Sequence, residues 1–565
     1  MIINHNLTSL SAMNRNKATN EMLRKSIKPL ATGLKVNVSA DDASGMSISE
    51  IMRSQVRGYD MAMRNAQDGL SMLRTAETSL SDTTEMLHRM RELAIQAGND
   101  SLTIQDRKHI QEEVDELKVR ITNIAEETNF NTKNLLDGTS GALWSISDPT
   151  MRIRVKGGLL SVDSNGNEYN AEANYRIVIR SDGGKGHVRK SNVMSVSEST
   201  FETVTDEYGD EETVEVYHDK TLREMDNFYD SEGKFILSEP QELTIVQGDG
   251  KMATVTLYGD DTLRDAAGKI NDAIADDLGH SAHAEDARHF ATISDGTAIT
   301  PEAVYARSDV YDDEGNITGH EIKATLVVRS GVQGKEGELY FAGNDELVKA
   351  FGLNTVQDSQ DATYSITIAD AHSGEELVRG MKITGHVLNG VIHPNADIDF
   401  DPMAGAVAAW NEGEKQYIMK GAGEYTADIH LMDNGVTFQT GAGNGDSIKV
   451  RLSNASSLML GVDRVSVMTR ELAEKSLAYI DDAIDSVVKQ RTQIVSYTNA
   501  LENSIGQLTT ASENLMESRS RIIDADYADA AMTYISYRII SDAGSAMLAQ
   551  ANQQPEAVFS LLGNR

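Results

Sequence analysis

The chain has 565 residues, 87 acidic against 52 basic side chains, a net charge of −35 and no cysteine. Its length exceeds one ordinary core, so several domains are expected, and 40% hydrophobic with 25% charged residues is a globular composition. Disulfides, thiolate metal sites and thiol catalysis are excluded, no apolar run approaches the roughly 20 residues of a bilayer span, and the negative charge argues against nucleic acid or a membrane as partner.

The first residues, Met1 to Thr8, carry neither the basic stretch nor the apolar block of a classical secretory signal. Residues 1 to 34 are amphipathic, with Ile3, Leu7 and Leu10 on one side and a short seam of Leu23, Ile27, Leu30 and Leu34. Tyr59, Met63, Ala66, Leu70, Leu73, Leu80 and Leu87 then repeat a spacing that averages 3.5, which is coiled-coil patterning. The prolines are Pro29, Pro149, Pro240, Pro301, Pro394, Pro402 and Pro555, so residues 30–148 and 403–554 are free to form long helices.

From 141 to 464 the charge is 55 acidic against 27 basic, which leaves only 32 and 25 for the two ends. The middle is therefore the acidic, water-facing part. Two alternating runs, Thr244–Val246 and Met252–Leu257, flank a Gly-Asp-Gly turn and precede a helical stretch, which predicts a β-hairpin and helix. Ala324–Val328, Thr363–Ile368 and Ile448–Leu452 read as strands, and Asn344–Gly352 as a capped short helix.

Beyond Leu477 the seam returns as Leu477, Ile480, Ile484, Val487, Ile494, Leu501, Ile505, Leu508, Leu515 and Ile522, with gaps at Arg491, Thr498, Ser512 and Arg519. At 1.5 Å per residue this is a rod of roughly 70 Å, too long to cover its own stripe. The N-terminal rods are its candidate partners. The last segment carries Met532, Ile535, Ile539, Ala543 and Met547 on one side, then Leu561 and Leu562 near the end. Both outermost segments are marginal helices in water, so they are expected to fold against another copy of the chain.

Taken together, Ser39-Ala40-Asp41-Asp42-Ala43-Ser44-Gly45-Met46, Arg64-Asn65-Ala66-Gln67-Asp68-Gly69-Leu70-Ser71, Arg91-Glu92-Leu93-Ala94 and Asn129-Phe130-Asn131 resemble bacterial flagellins. So do Ser520-Arg521-Ile522-Ile523-Asp524-Ala525-Asp526-Tyr527 and Met547-Leu548-Ala549-Gln550-Ala551-Asn552 at the other end. The resemblance covers about the first 140 and last 100 residues. Two departures are Ser541-Asp542, where the family more often has Gln-Gln, and Ile523, where a Glu is common.

The resemblance implies an α+β fold, with long terminal α-helices in a coiled-coil bundle and inserted β-rich outer domains. Its expected division is 1–40 as N-terminal inner-tube helix, 41–140 and 465–525 as the two parts of the bundle, 141–464 as the variable outer domains, and 526–565 as C-terminal inner-tube helix. It implies a homopolymer, the swimming filament of a bacterium, exported without a cleaved signal peptide and located outside the cell. Expected partners are a flagellar export chaperone, hook-associated junction and cap proteins, and an animal flagellin-sensing innate immune receptor. By position, Arg89, Leu93 and Glu113 match that receptor's patch, and they read equally as packing between protofilaments. Polymerisation is expected through Ile3, Leu7, Leu10, Ile535, Ile539, Met547, Leu561 and Leu562. A hook-filament junction protein and a filament-displayed adhesin are the alternatives.

Enzymatic and metal readings fare worse. His280, His283 and His289, with Glu285 and Asp286, lack a familiar ligand spacing and read as a solvated loop. His320-Glu321 begins a zinc-protease motif that fails at Ala324. Asp309 to Asn316 places Gly315 one step late for a calcium loop and reads as an acidic turn. Gly183-Gly184-Lys185-Gly186 lacks the Ser or Thr of a phosphate loop, and Arg189 and Lys190 beside it read as solvated turn charges. Ser281 lacks the glycine frame of a nucleophile elbow. No catalytic residue, cofactor or metal is expected.

Overall fold

The structure, a computed structural model, describes residues 6–155, 159, 173–205, 211–280, 290–293, 305–312, 314, 316–411 and 416–563. Its α-helices among these residues are α1 (Leu7–Thr32), α2 (Ala43–Ala97), α3 (Ile104–Glu127), α4 (Leu263–Asp272), α5 (Asp345–Phe351), α6 (Ser457–Leu460), α7 (Arg470–Ile523) and α8 (Tyr527–Leu562). The chain folds as two compact units. One comprises residues 1–71, 437–449 and 497–565, and the other residues 72–436 and 450–496.

In the first unit α2 and α7 run antiparallel, because Gly45 lies against Ile522 and Gly69 against Leu501. A Cβ on Gly69 would stand 3.1 Å from Leu501 Cδ1 and 3.2 Å from Phe438 Cδ1, so glycine is what lets the hairpin residue Phe438 and α7 approach together. Asp42 caps α2, accepting from the Ser44 and Gly45 amides at 3.1 and 2.9 Å. The two turns next to the terminal helices are stitched by backbone: Lys35 N donates to Ile523 O at 2.6 Å and Ala525 N to Gly33 O at 2.9 Å.

In the second unit Arg91 pairs with Asp481 at 2.7 Å and Arg491 with Glu77 at 2.8 Å, again antiparallel. Leu73, Leu80, Leu87, Val114 and Ile121 are buried there, as are Ile480, Val487 and Ile494. One line of the expected α7 seam is therefore in place in the second unit, and Leu501 and Leu508 of the same line are buried in the first. The other is displaced by one residue in the second unit, where Ser476, Ala483 and Gln490 are buried instead of Leu477, Ile484 and Arg491. Small and polar residues take these buried positions, which hydrophobic spacing alone does not reveal.

The insert is built of antiparallel sheets. A five-stranded sheet runs in the order Glu376–Thr384, Thr363–Asp370, Ala173–Ser181, Glu424–Asp433 and Ala142–Ile146. A four-stranded sheet has the order Tyr305–Tyr311, Ile317–Ala324, Met194–Thr205 and Glu211–Asp219. The predicted hairpin is Gln241–Gln247 with Met252–Leu257, followed by α4, whose Thr262–Asp265 capping box satisfies its first amides. Leu243, Ile245, Val255, Leu257, Leu263 and Ile270 share a core with Phe351 of α5. That helix is capped by the Asn344 side chain and ended by Gly352 at φ 60°, as the sequence predicts.

Candidate assembly surface

Helix α1 begins because Asn6 accepts the Ser9 amide at 3.0 Å, and it ends at Gly33 in the left-handed region at φ 73°. Helix α8 is preceded by Asp526, whose carboxylate caps it by accepting the Ala528 amide at 2.9 Å. The two helices lie antiparallel and are joined by polar contacts. Asn6 Nδ2 donates to Ala551 O at 2.9 Å, and Ser9 Oγ donates to Asn552 Oδ1. Asn16 Nδ2 donates to Ser545 Oγ at 3.1 Å, and Ser541 Oγ donates to Asn20 Oδ1 at 2.8 Å.

The least exposed positions of α1 include Ser9, Ala12, Asn16, Thr19, Leu23 and Ser26; those of α8 include Tyr534, Tyr537, Ser541, Gly544 and Leu548. The seam is therefore mostly small and polar. Apolar side chains take the outside instead: Leu7, Leu10, Ile535, Ile539 and Met547 are 51–71% exposed, with Met13, Met22 and Met532 also exposed. An ordinary amphipathic pair does the reverse. Ile3 lies outside the described residues, and Leu561 and Leu562 sit in the last turn of α8, where side chains are not described.

The receptor-patch residues meet only in part. Arg89 Nε lies 2.8 Å from Glu113 Oε1, bridging α2 and α3, and its Nη1 is 3.3 Å from Glu92. These carboxylates hold the guanidinium pKa above its ordinary value. Leu93 is 1% exposed and belongs to the core of the second unit. The i,i+4 spacing aligns Arg89 and Leu93 along the helix but does not fix how far each is turned outward, and of the two Leu93 is the buried one.

The remaining motifs are structural where described. His280 is buried, with Nε2 2.9 Å from Gln247 Oε1 and Nδ1 accepting from Gly331 N at 2.9 Å, so for this residue the solvated-loop expectation is corrected. Ser281, His283, Glu285, Asp286 and His289 lie outside the described residues. His320 sits in a strand against Glu215 at 2.7 Å and Asp309 at 3.3 Å, while Asp312 accepts the Glu314 and Asn316 amides in a turn. Arg189 belongs to the strand Gly184–Lys190, donates to Leu353 O at 3.1 Å and stacks 5.7 Å from the Tyr340 ring, which corrects its reading as a solvated turn charge. Among the described residues no group of three His, Asp or Glu is placed to hold a metal, and no helix is long and apolar enough to cross a membrane.

Sequence reasoning missed a buried charge cluster in the second unit. Arg464 Nη1 lies 2.6 Å from Glu336 Oε1, and Nη2 pairs with Asp399. His386 Nε2 stands 3.0 Å from Glu336 and 3.2 Å from Asp399, with Arg154 at 3.8 Å from Asp399. Burial pushes the imidazole down, but the two carboxylates outweigh it and hold its pKa up at about 9. A cavity of about 570 Å³ beside the cluster is lined by Asp249, Asp401, Asp463 and Arg152 among others.

Both ends of the chain match one family. "Bacterial flagellin N-terminal helical region" covers residues 3–141 and "Bacterial flagellin C-terminal helical region" covers residues 477–562. The B-type flagellin of Pseudomonas aeruginosa is 26% identical over all of this chain and 99% of that protein. The chain belongs to the bacterial flagellins. Flagellin of Clostridium tyrobutyricum is 24% identical over 98% of this chain and 100% of its own length, and that of Bacillus subtilis is 46% identical over 25% of this chain and 46% of that protein. A solved structure of FliC from Burkholderia pseudomallei aligns over 30% of this chain and 62% of its own at 26% identity, with a TM-score of 0.13. As a flagellin the chain is a structural subunit of the bacterial flagellar filament, and the family is one of structural proteins. Long terminal helices with a β-rich insert are the fold expected from the sequence.

Proposed function

We propose that polymerisation runs through the outward apolar faces of α1 and α8, carried by Leu7, Leu10, Ile535, Ile539 and Met547; Ile3, Leu561 and Leu562 are assigned to it from the sequence alone. One observation carries this reading: the paired helices cover mainly small and polar residues, with Leu23, Tyr534, Tyr537 and Leu548 among them, and leave Leu7, Leu10, Ile535, Ile539 and Met547 in water. The magnitudes agree. Covering five such side chains is worth on the order of 10 kcal/mol, whereas four seam hydrogen bonds contribute about 1 kcal/mol each in net terms. Most of the stabilisation of these helices is thus available only when another copy covers them. A head-to-tail contact whose rotation does not close then builds an open helix of subunits.

In that filament residues 1–40 and 526–565 serve as inner-tube segments, 41–140 and 465–525 as the bundle, and the acidic 141–464 as the outer, water-facing part. The chain leaves the cell without a cleaved signal peptide, held beforehand by an export chaperone at its C-terminal segment, and abuts junction and cap proteins at the filament's ends. Recognition by an innate immune receptor would rest on Arg89, Leu93 and Glu113, of which Arg89 and Glu113 carry exposed charge. No catalysis is assigned.

The test is seeded elongation of purified protein followed by electron microscopy. The L7S/I535S/I539S variant is expected to stay monomeric with unchanged circular dichroism from the insert, while the parent grows long tubes. Wild-type elongation by that variant would overturn the assignment.

A further inference from the structure

Two of the polar contacts between α1 and α8 are joined into one relay by a bond within α1. Ser541 Oγ donates to Asn20 Oδ1 at 2.8 Å, Asn20 Nδ2 to Asn16 Oδ1 at 3.2 Å, and Asn16 Nδ2 to Ser545 Oγ at 3.1 Å. Ser9 with Asn552 lies seven residues further along in both helices, in the same register. Apolar contact is non-directional and tolerates sliding, whereas a hydrogen bond between short side chains is lost within one residue of slip. A polar residue at a helix seam fixes register at some cost in stability. Here the cost is small, because Asn20 and Ser545 lie at the exposed edge of the seam, where no large apolar side chain is displaced.

We propose that Asn16, Asn20, Ser541 and Ser545 are the positioning residues of assembly. Their relay holds α1 against α8 in a single register, and that register aligns the apolar positions of the two helices for the next copy of the chain. The proposal rests on the reading that the outer faces drive polymerisation. A slip of one heptad would leave every apolar residue exposed but place the two rows out of step.

The chain contains no cysteine, so an introduced pair reports register without interference. Continuing the relay by one heptad puts Ile27 opposite Tyr534, and a slipped pair would bring Ile27 to Tyr527. In the full chain, oxidation is expected to link I27C to Y534C and not to Y527C. Making the seam apolar with N16L/N20L/S541L/S545L is expected to yield both links and to slow seeded elongation at least about tenfold, as it would if roughly one chain in ten held the competent register. The reciprocal exchange N20S/S541N keeps the pair and is expected to retain the single link and parental elongation. A single 27–534 link with parental elongation in the apolar-seam variant would overturn the proposal, as would an exchange variant as defective as the apolar one. Failure of the outer-face reading is seen separately, as parental elongation of L7S/I535S/I539S, and leaves the crosslinking result unaffected.

Discussion

Arg464 Nη1 and Glu336 Oε1 are 2.6 Å apart, and the same carboxylate oxygen stands 3.0 Å from His386 Nε2. Two cations thus share a buried acid, with Asp399 completing the group. Because the folded pKa of His386 is raised to about 9, its contribution is full below the ordinary histidine value and is lost as pH rises through about 9. The expected loss is on the order of 3 kcal/mol, seen as a falling melting temperature of the insert between about pH 6.5 and 10. H386N removes that slope. At the other end of the scale, burial pushes Glu336 and Asp399 up, but His386 and Arg464 hold both low, so their contribution survives until acid reaches their folded values.

Removing Arg464 leaves Glu336 and Asp399 buried with less countercharge. R464A is expected to destabilise the second unit by about 3–5 kcal/mol by chemical denaturation, the range for breaking a buried pair from one side.

Two helical glycines should respond oppositely. At Gly506 of α7 an added Cβ meets nothing within 4 Å, so G506A is expected to stabilise by roughly 0.5–1 kcal/mol through helix propensity and chain entropy. At Gly69 the space is already held by Leu501 and Phe438, and G69V is expected to cost about 1–3 kcal/mol by overpacking. Thermal melts of the two variants decide the matter.

On α2, L93A opens a cavity in the core and is expected to cost about 2–5 kcal/mol. R89A removes an exposed pair with Glu113 and should leave the melting temperature nearly unchanged. If an immune receptor reads this patch, R89A lowers receptor signalling at equal stability, whereas L93A lowers it together with a loss of folded protein.

The sequence exposes these elements unevenly, for physical reasons. Helices and strands with clean periodicity, such as α2, the 241–257 hairpin and the Asn344-capped α5, were legible because local chemistry and burial agree there. The α7 seam was displaced where Ser476, Ala483 and Gln490 take inner positions that an apolar count passes over. Helices α1 and α8 were legible as amphipathic, but their apolar side faces outward, and only the Asn and Ser relay tells which face meets the partner. His386, Glu336, Asp399 and Arg464 come from four separate segments, so no linear motif announces them.

Deleting residues 528–565 removes α8 and leaves α1 without its seam. The expected product is a soluble monomer whose insert melts as in the parent, judged by light scattering and calorimetry. Filament formation by the truncated chain would contradict the role given to α8.

The most direct test is amide hydrogen exchange of the full chain, dilute and monomeric, compared with the same chain in filaments. Amides of α1 and α8 are expected to exchange quickly in the monomer and to gain strong protection on assembly, while the sheets of the insert stay protected in both. Equal, strong protection of α1 and α8 in the isolated chain would show that these helices need no second copy and would contradict the account.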